Sequence, residues 1–318
     1  MRIVFMGTPD IASTVLERLI ADGHDVCGVF TRMDKPQGRH QVLTPPPVKV
    51  TALEHDIPVY QPKTLKNGEG MPILEELQPE VIVVCAYGLL LRSDVLQFPK
   101  YGCLNVHASL LPMYRGAAPI NWVILKGETE TGITIMQMDE GLDTGDMLYQ
   151  KKISIAPDET AGELFDRMAA LGADAMSEAL VKLEAGELHP VPQTGESFYA
   201  SMLSKKDSPI CWARTAQEIH NQIRGLSPWP GASTTLNGKI LKIHRSALTP
   251  DSAVRNALPG TIFTEQGQLF VTCKNGRQLE LLEVQAQGSK KMSAADYLRG
   301  HAIPNGTRFT WEEEETTV

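Results

Sequence analysis

The apolar residues of this 318-residue chain fall into two regimes. Up to about residue 184, short apolar runs alternate with segments in which apolar residues recur at helical spacing. Beyond about residue 230 only short runs remain, separated by turn residues. In the first regime, residues 2–6 form an apolar run ended by Gly7-Thr8-Pro9, and Ile11, Val15, Leu16, Leu19 and Ile20 then recur at helical spacing, with Asp10 placed to cap that helix. The pattern predicts strands over 26–31 and 58–60, a helix over 48–55 and the end of another over 73–77. Val81-Ile-Val-Val-Cys-Ala86 is apolar throughout, as in a strand covered on both faces. Further strands are expected at 103–106 and 132–138, with a helix over 118–126 opened by Pro119. Thr160 and Glu163 make a capping box ahead of Leu164, Phe165, Met168, Leu171, Ala175, Met176, Ala179 and Leu183, the spacing of one long helix. Alternating strand and helix predict an α/β fold with a doubly wound, largely parallel sheet.

The second regime predicts a helix near 216–223 and strands near 232–236, 240–244, 260–263, 269–273 and 279–284, the spacing of a small β-barrel. Between the regimes, 189–207 is polar and punctuated by Pro, Gly and Ser, the composition of a linker. The expected organisation is a catalytic domain over 1–188, a β-barrel domain over 208–311 and an acidic tail over 312–318. Residues 32–47 are too rich in Pro and too poor in periodicity for helix or strand. A loop of that length inside a compact domain is functional or mobile.

Charge sharpens this division. The net charge of -8 argues against a nucleic-acid binder until it is split: residues 1–206 carry 18 Lys+Arg and 27 Asp+Glu, whereas residues 208–310 carry 12 and 6. An acidic front and a basic back imply different partners. Five widely spaced cysteines form no C-x-x-C pair, which argues against a disulfide framework or a structural zinc site and for reduced core thiols. No apolar run reaches the roughly 18 residues of a membrane span, and a cytoplasmic enzyme is expected.

Candidate chemistry gathers at two places. In Asn105-Val-His107 the two-residue period of a strand puts both polar side chains on one face, just before Pro112 and Gly116 end the strand. Such a strand end is where open α/β sheets place their chemistry. The imidazole lacks a carboxylate to orient it, and the loop carrying Asp139, Glu140, Asp143 and Asp146 offers one, with Gly141 and Gly145 allowing a tight turn. These acids do not follow the calcium-loop pattern, and neither a G-x-G-x-x-G nor a G-x-x-x-x-G-K-[ST] motif occurs. No metal, dinucleotide or ATP is expected.

Asn105-Val-His107-Ala-Ser109-Leu110-Leu111-Pro112, then Arg115-Gly116-Ala-Ala-Pro119, then Met138-Asp139-x-Gly141-Leu-Asp143-Thr-Gly145-Asp146 resembles the signature of the folate-dependent formyltransferases, especially those that act on aminoacylated initiator tRNA. The resemblance implies a Rossmann-like formyltransferase domain followed by a C-terminal OB-like β-barrel that binds tRNA. It implies 10-formyltetrahydrofolate as formyl donor, and as acceptor the α-amino group of methionine on initiator Met-tRNA. Catalysis would rest on Asn105, His107 and Asp143. Folate would meet Ser109, Leu110, Leu111 and Pro112, with Tyr87 and Gly88. A basic loop carrying Arg32, Lys35 and Arg39 would reach the tRNA acceptor end, with Arg39 the main phosphate contact. The chain departs from the family pattern at His40, Gln41 and Val42, where further lysines are usual. A monomer is expected. Three rivals share parts of this pattern: a sugar-nucleotide N-formyltransferase, a formyltetrahydrofolate hydrolase and a non-enzymatic tRNA-binding protein.

Overall fold

The computed structural model describes residues 1–38, 41–250 and 252–311, without the side chains of Gln37 and Asn67. Contacts divide the chain into two compact units, one of residues 1–119, 130–154 and 165–200, the other of residues 120–129, 155–164 and those from 201 onward.

In the first unit, strands β1 (Arg2–Gly7), β2 (Asp25–Phe30), β3 (Val59–Tyr60), β4 (Val81–Cys85), β5 (Cys103–His107), β6 (Glu130–Gln137) and β7 (Met147–Ser154) form a sheet in the order β7-β6-β5-β4-β1-β2-β3. Chain order reverses between β1 and β4, which makes the sheet a Rossmann-like one with its switch point at its centre. Every side chain of β4 is buried, as its unbroken apolar run requires. Helix α1 (Asp10–Ala21) buries Ile11, Ala12, Val15, Leu16 and Leu19, and α2 (Pro47–Glu54) and α3 (Met71–Leu77) add further cover. Asp10 does not cap α1: Pro9 holds the cap position, and Asp10 lies in the first turn, where its charge meets the helix dipole.

Two expectations change here. The five strands from β3 to β5 run parallel, but β6 returns antiparallel to β5, Asn105 facing Met136 and His107 facing Thr134. β6 then forms a hairpin with β7, whose polar Gln150, Lys151 and Lys152 suit a sheet edge. The acidic loop is the turn of that hairpin. Residues 32–47 are also more regular than expected, since Lys35–Gln37 pairs with Val42–Thr44 in a two-stranded ribbon where Pro36 needs no ladder donor.

The second unit holds α4 (Pro119–Leu125), α6 (Ala216–Gly225), α7 (Ala294–Gly300) and the first turn of α5 (Ala161–Glu184), whose Thr160–Glu163 capping box forms as read from the sequence. Strands β8 (Ala232–Leu236), β9 (Lys239–Leu248), β10 (Ile262–Glu265), β11 (Gln268–Thr272) and β12 (Gln278–Ala286) form an antiparallel sheet in the order β8-β9-β12-β11-β10. Its core contains Trp212, Ile219, Ile243, Val271, Leu281 and Phe309. Trp212 stacks on Phe309 and donates Nε1–H to Thr234 Oγ1 at 3.0 Å. That stack seats a C-terminal stretch that bonds to both sheet edges: Thr310 exchanges backbone bonds with Thr235 of β8, and Thr307 O accepts from Ile262 N of β10.

All five cysteines are free. Burial pushes the Cys85, Cys103 and Cys273 thiols up to about 12, which keeps them protonated and inert.

Candidate active site

β5 ends the parallel part of the sheet and carries Asn105 and His107 on one face, both buried. His107 Nε2 donates to Tyr114 O at 3.0 Å. Its Nδ1 lies 3.6 Å from Asp143 Oδ2, the separation of an ion pair and longer than a hydrogen bond. Acceptors thus face both ring nitrogens, Tyr114 O at Nε2 and the Asp143 carboxylate at Nδ1.

Asp143 reaches this position from the β6–β7 turn. Its φ of 53° is left-handed, a conformation Asp tolerates better than most side chains, and it turns the carboxylate inward. Oδ2 accepts from Gly116 N at 2.8 Å. Oδ1 has no hydrogen-bond partner among the described residues. Of the other acids in the loop, Asp139 is consumed locally, accepting from Gly141 N and Thr144 Oγ1. Gly145 is required for close approach: a Cβ there would fall 1.8 Å from Gln137 O. Gly116 has φ 113°, and its Cβ would meet Ala200 O at 2.7 Å.

Asn105 contrasts with this pair. It is only 9% exposed, yet its carboxamide makes no hydrogen bond to any described residue. A carboxamide without a protein partner is open to water or a ligand. Asn105 therefore presents open donors beside a fixed His–Asp pair.

Next to it, the Ser109–Pro112 turn is held by Thr134, which is fully buried on β6. Thr134 Oγ1 donates to Ser109 O at 2.7 Å and accepts from Leu111 N at 3.1 Å and Gln150 Nε2 at 2.9 Å. Gln150 also donates to Leu111 O. Ser109 Oγ donates to Met113 O, and the side chain of Leu110 packs over Gly132. These residues thus form a rigid turn with few free polar groups. The Tyr87 ring lies in the hydrophobic core with its hydroxyl unpartnered, and burial pushes that hydroxyl up to about 12. Only the backbone around Tyr87 and Gly88 is therefore open to a ligand, and Thr8 Oγ1 donates to Tyr87 O there.

The basic loop separates. Arg32 lies against Gly88, its Cδ 3.9 Å from where a Cβ on that glycine would be. Lys35 is exposed on the ribbon. At the base of the ribbon, Lys49 Nζ donates to the Asp34 carboxylate and to Gln61 Oε1, each at 2.9 Å, and Gln61 and Lys49 hold the Asp34 carboxyl below its usual range. Arg39 and the acidic tail lie outside the described residues. In the second unit Arg245, Arg255 and Lys291 are in ion pairs, whereas Lys239, Lys242 and Lys290 are exposed.

Sequence reasoning missed two members of the site, Thr134 and Gln193. Gln193 accepts from Arg115 and donates to the backbone of the acidic loop. A buried threonine within an apolar strand was a usable signal for the first. Gln193 lies in a stretch without periodicity and gave none. No group of three or more His, Cys, Asp or Glu among the described residues could hold a metal ion, and no described helix is long and apolar enough to cross a membrane.

The Asn-His-Asp corner lies at the end of β5 in a doubly wound sheet, and comparison with known proteins gives the family. Residues 1–180 match the formyl transferase family and residues 202–302 match the C-terminal domain of formyl transferases. The chain belongs to the formyl transferase family. Within it, the chain is 47% identical over 306 residues to the methionyl-tRNA formyltransferase of Pelotomaculum thermopropionicum, covering 96% of this chain and 97% of that one. It is 49% identical over 309 residues to that of Caldanaerobacter subterraneus, covering 96% and 99%. A solved sugar 3N-formyl transferase, described with dTDP and 5-N-formyl-THF, superposes with a TM-score of 0.68 over 91% of this chain and 99% of its own, at 20% identity. At that identity the likeness is one of fold.

Proposed function

We infer that this chain transfers the formyl group of 10-formyltetrahydrofolate to the α-amino group of methionine on initiator Met-tRNA, giving N-formylmethionyl-tRNA. The observation that carries the chemistry is the unpartnered Asn105 carboxamide beside the fixed His107–Asp143 pair. The acceptor is supported by methionyl-tRNA formyltransferases 47–49% identical over 96% of the chain, against 20% for the sugar enzyme. A non-enzymatic tRNA-binding protein has no use for such a corner.

The donor supplies an activated formyl carbonyl, and the chain supplies everything else. Asn105 Nδ2 gives hydrogen bonds to negative charge developing on a carbonyl oxygen, worth about 3 kcal/mol for a well-aligned donor. The His107 ring, held by Tyr114 O and beside the Asp143 carboxylate, lines the same face and keeps that carboxylate in place. Asp143 Oδ1, turned inward and unpartnered among the described residues, takes the proton that the attacking amine must lose, and that proton passes to N10 of the donor as the formyl C–N10 bond breaks and tetrahydrofolate leaves. General base help of this kind is worth about 10² to 10⁴ in rate. The Ser109–Pro112 turn and the backbone at Tyr87 and Gly88 form the walls for the folate.

The second unit is read as an OB-like barrel, supported by residues 307–310 bonding to both edges of its sheet. Exposed Lys239, Lys242 and Lys290 there, with Arg32, Lys35 and Arg39 of the first regime's basic stretch, are the proposed tRNA contacts. The domain division at 189–207, a cytoplasmic location and a monomeric state belong to the same reading. The test is single-turnover formyl transfer to charged initiator tRNA by the wild-type chain and by Asn105→Ala. The substitution is expected to lower the rate at least 10²-fold with the fold intact. An Asn105→Ala rate equal to wild type contradicts the assignment.

A further inference from the structure

We propose that Gln193 is a positioning residue for Asp143, set by Arg115, an assignment that rests on the reading of Asn105, His107 and Asp143 as the transfer site. The Gln193 carboxamide is saturated. Its Oε1 accepts from Arg115 Nε at 2.9 Å and Nη2 at 2.7 Å, and its Nε2 donates to Asp143 O at 2.9 Å and Gly145 O at 2.7 Å. All four hydrogen-bonding positions of one side chain thus join residues 48, 50 and 78 positions away in sequence.

Three consecutive residues hold the whole corner. Tyr114 O fixes the His107 ring, the Arg115 guanidinium fixes Gln193, and Gly116 N fixes the Asp143 carboxylate. Gln193 closes the loop of contacts by gripping the Asp143 and Gly145 carbonyls from the other side. Its own backbone is anchored two residues earlier, where Val191 and Met147 exchange bonds of 2.8 and 2.9 Å at the start of β7. The need for such a grip follows from the loop itself. Asp143 is in a left-handed conformation that a free turn would leave readily, and rotating its peptide would swing the carboxylate away from His107. A guanidinium aimed at the amide oxygen also forces the amide orientation, so that the NH₂ group, never the oxygen, faces the two carbonyls.

This organisation separates two substitutions of nearly the same size. Gln193→Glu keeps an acceptor for Arg115 but puts a carboxylate oxygen against two carbonyl oxygens. Gln193→Ala removes both halves. If Gln193 positions Asp143, both variants lose about 10²-fold in kcat, the scale expected for a misplacement near 1 Å. KM for charged tRNA and for the folate donor should stay within about twofold, because both halves of the carboxamide are taken up by protein partners. In an Asp143→Asn background, adding Gln193→Ala should change the residual single-turnover rate by less than about twofold, because the group it positions has already lost its charge.

Wild-type kcat in Gln193→Glu, or losses that multiply in the double variant, would overturn the proposal. If Gln193→Ala does not fold, the Glu variant carries the same contrast. A wild-type chain that transfers no formyl group sinks the underlying reading and the proposal with it, whereas an active wild type with an unimpaired Glu variant sinks the proposal alone.

Discussion

Replacing Thr134 by Val tests whether the Ser109–Pro112 turn is built by one hydroxyl. Valine matches threonine in shape and fits a buried strand, so no cavity opens and no clash arises. What disappears is Oγ1, with its bonds to Ser109 O, Leu111 N and Gln150 Nε2. Gln150 keeps its bond to Leu111 O at 3.1 Å and reaches toward solvent from the edge strand, so its loss is small. Ser109 O and Leu111 N are left in a buried site without these partners, at about 1–3 kcal/mol each. The expected destabilisation is therefore about 2–6 kcal/mol in urea unfolding, and KM for 10-formyltetrahydrofolate should rise about tenfold as the turn loosens. Thr134→Ser, which restores the oxygen, should recover most of both. A Thr134→Val protein with unchanged unfolding midpoint and unchanged folate KM would refute the argument that this hydroxyl organises the turn.

Other consequences are checked as directly. His107→Ala and Asp143→Ala should each abolish measurable turnover while tRNA affinity and far-ultraviolet circular dichroism stay near wild type. Arg39→Ala should raise KM for charged tRNA with little change for the folate; equal loss for both would make the basic loop a structural element. Phe309→Ala removes the ring stacked on Trp212 and should cost about 3–5 kcal/mol of stability, read by chemical denaturation. Glu163 is held at about 2, first by the Thr160 backbone N–H, then by the Thr160 hydroxyl and Arg245. Because its folded value is depressed, its stabilisation is complete above the ordinary 4.5 and is lost as pH falls toward 2. Glu163→Gln should accordingly flatten the stability profile across that acid window.

The strands and helices that bury continuous or periodic apolar residues were legible in the chain, from the Val81–Cys85 run to the long helix opened by Thr160 and Glu163. Elements fixed by partners rather than by periodicity were not. Met147–Ser154 mixes lysines and apolar residues because it is a solvated edge strand, and Glu130–Gln137 runs antiparallel to Cys103–His107 rather than parallel to it. The ribbon at Lys35–Gln37 and Val42–Thr44 hid behind its prolines. At the site, Asn105 and His107 could be read from strand alternation, and Asp143 only as one of four acids. The Asp139 turn and the Gly116 N–H single it out, and both depend on the folded backbone. Tyr87 shows the limit from the other side, since its place in the motif says nothing of a ring that points into the core.

The most direct measurement is transfer of labelled formyl from 10-formyltetrahydrofolate to charged initiator Met-tRNA, with uncharged tRNA and a 4-amino sugar nucleotide as parallel acceptors. The account predicts label on the charged tRNA alone, as N-formylmethionine released by mild base. Label on the sugar nucleotide, or free formate with no labelled tRNA, would contradict it.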